Sequence, residues 1–153
     1  MEREHFNLAE MEPMLRKILS EGGNFRFYPK GTSMEPMIHQ GKDQVVLKPL
    51  PEKLKKYQMI LYKRDNGAFV LHRIVKVNKD SYTMRGDNQF LNEPGIRREQ
   101  MIGMVFEIVK PDVRINVESF RYRLKSAIWV ESAGFRRIFL AAKRRIAKII
   151  KRR

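Results

Sequence analysis

The chain has 153 residues, enough for one domain with a modest core, and carries a formal net charge of +15. It has no cysteine, which excludes a disulfide framework and thiolate chemistry, and its three scattered histidines without Cys partners argue against a structural metal. No stretch approaches the ~18 apolar residues of a membrane span, and Met1-Glu2-Arg3-Glu4-His5 lacks the basic start and apolar run of a signal peptide, so a cytoplasmic location is expected.

In chain order, residues 7–20 read as a helix. Asn7 is a suitable N-cap, Leu8, Met11, Leu15, Ile18 and Leu19 fall near one face, and Gly22-Gly23 stops it. Pro13 argues for a start after Glu12. Asn24–Tyr28 alternates polar and aromatic residues and reads as a strand leading to a loop around Ser33. Gln44–Lys48 is a strand after the Gly41-Lys42-Asp43 turn, and Pro49 and Pro51 mark a loop. Gln58–Lys63 and Ala68–Val77 pair as a hairpin across Arg64-Asp65-Asn66-Gly67, because Asn-Gly favours a tight turn. Residues 81–85, ending at Gly86, and Met101–Val109 complete the sheet, and Pro111 ends it. Many short strands with Gly and Pro turns imply a mainly β (α+β) domain over residues 24–110. An N-terminal helix precedes it within residues 1–23, and a tail follows over residues 111–153.

The strongest functional signal is Gly31-Thr32-Ser33-Met34-Glu35-Pro36, followed by Leu71-His72-Arg73-Ile74 and then Gly86-Asp87-Asn88. Serine is a weak nucleophile and needs a base, together with backbone N–H groups aimed at the developing oxyanion. Gly31 permits a tight turn, and Pro36 disfavours helix at Glu35, so Ser33 sits on a rigid exposed loop. His72 lies in the middle of an apolar strand, whereas His5 and His39 fall in the leader and a loop. Histidine is the usual general base at neutral pH.

Gly31, Ser33, Met34 and Pro36, then Gly41 and Asp43, His72-Arg73-Ile74, Gly86-Asp87-Asn88 and Ile102-Gly103 together resemble the type I signal peptidase and LexA-like superfamily of serine peptidases. The resemblance spans residues 25–110 and is to its Ser-His branch, since His72-Arg73 stands where most bacterial members have Lys-Arg. It implies a coiled, partly barrel-like β fold and a serine endopeptidase that needs no cofactor. Its substrates would be extended, leader- or signal-like peptides with small residues near the cut. It further implies Ser33 as nucleophile, His72 as base, and Asp87 or Glu93 as the acid that orients the imidazole. Gly31 stands where some signal peptidases have an oxyanion-hole serine, which leaves backbone N–H groups with the Thr32 hydroxyl for the hole. Met34 and Met37 are candidates to line the substrate pocket. No counterpart of the N-terminal transmembrane anchor of signal peptidases is expected. The alternative is a non-catalytic peptide- or partner-binding module on the same scaffold.

The tail holds 13 Lys/Arg against three acids, a net +10 that leaves +5 for residues 1–110. Glu118 to Lys151 reads as one helix with Gly134 as a kink. Leu124, Ile128, Phe135, Phe139, Ala142, Ile146, Ile149 and Ile150 gather on one side, and Arg136, Arg137, Lys143, Arg144, Lys148 and Lys151 on the other. A basic amphipathic helix of this kind, with Trp129 nearby, suits an anionic membrane surface contacted through residues 118–153, placing the chain at the inner face. Packing on the β domain or on a second copy is the competing expectation. A nucleic-acid role is the weakest, because no base-reading motif is present.

Overall fold

The structure, a computed structural model, describes residues 7–150 and the side chains of residues 7–147. The expectations for Met1–His5, for Lys151 and for the Lys148, Ile149 and Ile150 side chains lie outside that range. Helix α1 (Leu8–Ser20) begins where expected, with the Asn7 side chain accepting from the Ala9 N–H. It runs through Pro13 rather than starting after it. Leu15 and Leu19 are its buried residues, and they anchor it on the sheet. Gly103 lets it approach: a Cβ there would stand 2.8 Å from Leu19 Cδ1.

The sheet comprises β1 (Phe25–Phe27), β2 (Gln44–Lys48), β3 (Met59–Lys63), β4 (Phe69–Val77), β5 (Tyr82–Arg85), β6 (Glu93–Ile96), β7 (Met101–Val109) and β8 (Arg114–Asn116). Its order is β1-β2-β7-β3-β4-β5-β6, with β8 paired to β7, and every pairing is antiparallel. The α+β class is as expected, but the sheet is open and does not close into a barrel. β8 takes the edge of β7 where β3 leaves it, so the sheet continues past Pro111. β6 contains Pro94 and Gly95, which hide a strand from sequence reading, and lies at the end of the sheet, where proline is tolerated.

Both faces of the sheet are covered. In β3, Met59 and Leu61 join one buried cluster with Leu15, Leu19, Met34, Ile38 and Tyr122. Ile60 and Tyr62 join another with Ile74, Met84 and Met104. The β3–β4 hairpin turns over Asp65–Gly67, with Gly67 at φ +86° and the Arg64 N–H bonded to the Ala68 carbonyl.

The tail is two helices, not one. α2 (Phe120–Glu131) is capped by Ser119 and ends at Ser132, and α3 (Ala133–Ile150) follows. The break lies at Ser132 rather than at Gly134, and Ser132 N–H closes α2 onto the Ile128 carbonyl. α2 docks on the domain through Tyr122, Ser126 and Val130. Among the described residues, no helix is long and apolar enough to cross a membrane.

Candidate active site

β4 supplies His72 and Arg73. Successive residues of a strand point to opposite faces, and the register agrees: His72 lies opposite Ile60, and Arg73 opposite Met59. The two side chains therefore enter different surroundings.

His72 is buried, beside Tyr62 and Glu93. The Tyr62 hydroxyl lies 3.2 Å from His72 Nδ1 and donates to Glu93 Oε2 at 2.7 Å. Glu93 is also held by both arms of Arg64, at 2.7 Å each. The direct Nδ1–Glu93 separation is 3.9 Å, too long for a hydrogen bond, so the phenol bridges the two. A phenol has one proton, and here it goes to Glu93. The hydroxyl oxygen must then accept, which assigns the hydrogen to Nδ1 and leaves a lone pair on Nε2. Burial, with the bond to and charge of Glu93, raises the Tyr62 hydroxyl above its ordinary range, so it stays a donor. Burial pushes His72 down to about 4 against the opposing pull of Glu93, which keeps the imidazole neutral at pH 7. Glu93 is lowered chiefly by its bonds to Arg64 and remains a carboxylate.

Ser33 and His72 line one cavity of about 240 Å³, together with Lys30, Gly31, Met34 and Phe69. Among the described residues, the Ser33 hydroxyl and His72 Nε2 make no protein hydrogen bond, and neither do the backbone N–H groups of Ser33 and Met34. The Ser33 loop is held by its other groups. Gly31 turns at φ +84°, and its N–H is spent on the Gln40 side chain. The Thr32 and Ser33 carbonyls accept from the Asn88 side chain and backbone. Gly86 is flush against this loop: a Cβ there would stand 2.6 Å from the Ser33 carbonyl oxygen. The Glu35-Pro36 peptide is cis. Past the loop, buried Asp43 accepts from the His39 N–H and from Lys110 at 2.6 Å, tying the exit to the end of β7.

On the other face, Arg73 and Asp87 form a bidentate pair at 2.8 and 2.7 Å, both side chains 1% exposed. Burial opposes the guanidinium's charge, but the bonds to Asp87 outweigh it and Arg73 holds its proton above the ordinary range. Arg73 also donates to the Tyr57 carbonyl and the Tyr122 hydroxyl. Trp129 of α2 donates its indole N–H to the Asp87 carbonyl at 2.8 Å.

Of the two carboxylates expected beside His72, it is Glu93 that the structure brings there, through Tyr62. Asp87 is committed to Arg73 with both oxygens and makes no hydrogen bond to His72. Met34 borders the cavity from the core side, whereas Met37 is plain core. Gly31 spends its N–H on Gln40, whereas among the described residues the N–H groups of Thr32, Ser33 and Met34 and the exposed Thr32 hydroxyl make no protein hydrogen bond. Tyr62, Arg64 and Trp129 were not singled out as site residues from sequence. The available signal was the hairpin register, which sets Tyr62 diagonal to His72 on one face. No protein-family model matches the chain, and a search of curated proteins returns no match.

Proposed function

We propose that this chain is a serine endopeptidase of the type I signal peptidase kind, acting on extended peptides with small side chains near the cut. The observation that carries the reading is a serine with an uncommitted hydroxyl sharing a cavity with a buried, neutral histidine whose Nδ1 is held by a phenol–carboxylate pair. Ser33 Oγ attacks the scissile carbonyl carbon while His72 Nε2 takes its proton. The Ser33 and Met34 N–H groups receive the oxyanion. The intermediate collapses as Nε2 protonates the departing amine, and water then hydrolyses the acyl-enzyme by the same base. Glu93 stabilises the transient imidazolium through Tyr62 and is kept ionised by Arg64. The order of the Ser33, His72 and Gly86-Asp87-Asn88 motifs supports the family assignment.

The test is cleavage of leader-like peptides with small residues near the cut, using wild type, Ser33→Ala and His72→Ala. Each variant is expected to lose activity by at least about a thousandfold. Ser33→Ala should keep its melting temperature, whereas His72→Ala, which empties a buried position, should lower it. Full activity in either would end the mechanism. Peptide binding by all three proteins without cleavage would instead identify a binding module.

A further inference from the structure

α2 has already used one face. Tyr122, Ser126 and Val130 are buried against the domain, yet the opposite row is also apolar: Phe120, Leu124 and Ile128 are 77%, 51% and 62% exposed. A helix docked by one side ordinarily turns polar residues to the other. α3 repeats the anomaly. It touches the domain through buried Ala133 and through Arg136, which stacks on Trp129 at 3.7 Å. From Arg137 to Ala147 every residue is exposed. Phe135, Ile138, Phe139, Ala142 and Ile146 follow helical spacing on one side of it, and all five are exposed. Arg137, Lys143, Arg144 and Arg145 flank that stripe, and α3 contains no acid.

We infer that the outer faces of α2 and α3 form one docking surface for an anionic lipid headgroup layer, into which the two aromatic–aliphatic rows insert. Charge selects this occupant. A second copy would bring the same unopposed cations against themselves, and a nucleic acid would satisfy the cations but leave the apolar stripe in water. An anionic bilayer satisfies both: apolar rows enter the acyl boundary while flanking cations meet headgroups. The surface adjoins the nucleophile loop, since Phe135, Arg136, Phe139 and Leu140 share a cavity with Glu35, Pro36 and Asn88. The inference does not depend on peptidase activity.

The experiment is co-sedimentation of the full chain carrying Ser33→Ala with vesicles of phosphatidylcholine alone or of equal parts phosphatidylcholine and phosphatidylglycerol. Binding to the mixed vesicles is expected, at least about tenfold tighter than to phosphatidylcholine and falling steeply with added salt. Phe135→Asp with Phe139→Asp should weaken it by about a hundredfold or more. Those side chains are 77% and 63% exposed, so the melting temperature should hold. The inference is overturned by an absence of vesicle binding, by undiminished binding of the double variant, or by a dimer that the double variant dissociates while vesicles go unbound. Preferential retention by RNA over mixed vesicles would overturn it too.

Discussion

His72 and Arg73 are neighbours on one strand, but they occupy opposite electrostatic settings. Arg73 is 1% exposed, and one carboxylate, one carbonyl and one phenol meet its donors. His72 faces a cavity, with one nitrogen fixed from behind and the other uncommitted. The difference teaches a division of labour. A buried charge whose donors are this well matched serves as structure, because any motion leaves it unpaired. A group with one satisfied and one open nitrogen is available for proton transfer. The conformational cost sits on the Arg73 side as well: Tyr57, whose carbonyl accepts from Arg73, is a non-glycine residue at φ +77°.

The largest expected effect follows from breaking the structural side. Asp87→Ala should destabilise the fold by about 3–5 kcal/mol, because it leaves the Arg73 guanidinium buried without its counter-charge. Chemical denaturation measures this, and a loss confined to activity at wild-type stability would reverse the roles given to the two carboxylates. Next come Tyr62→Phe and Glu93→Gln, each expected to lower the rate of peptide cleavage by about tenfold to a hundredfold. Their melting temperatures should change less than that of Asp87→Ala.

Proton linkage sharpens the same contrast. His72 is depressed to about 4 in the folded chain, while an unfolded histidine titrates near the ordinary value of about 6.5. The unfolded state therefore binds more protons between those values, and stability must fall as pH drops from about 6.5 towards about 4. His72→Gln should remove that component from the pH–stability curve. Cleavage should stay level through neutral pH and decline only on the acid side, as the base becomes protonated. The smallest effect is expected at Trp129→Phe, which removes the bond to the Asp87 carbonyl but keeps most of the packing. It should cost about 1 kcal/mol of stability and a few-fold in activity, read as an altered kcat with little change in KM.

Much of the sheet was legible because its strands are bounded by Gly, Pro and Asn-Gly. β2 and β7 fall on the expected residues, and the β3–β4 hairpin turns where Asn66-Gly67 marks it. β6 was hidden by Pro94 and Gly95, and β8 by its three-residue length after Pro111. The tail's amphipathic period was visible and a kink was expected at Gly134, but the break falls two residues earlier, at Ser132, which carries little breaking propensity of its own. Ser33 and His72 stood out by residue type and spacing. The choice between Asp87 and Glu93 did not, because it depends on which face of β4 each carboxylate meets, a fact of tertiary register. Tyr62 was disguised as a core aromatic in an apolar run.

Gly86 also bears on the order in which the chain is made. The loop carrying Ser33 emerges early and His72 follows, but the wall that Gly86 and Asn88 set against the Ser33 carbonyl comes later still, more than fifty residues after Ser33. Contacts of such separation form late, after the local hairpin of β3 and β4. A chain still on the ribosome thus presents both candidate reacting residues before it has the framework that aligns them, and synthesis itself separates possession of the parts from assembly of the site.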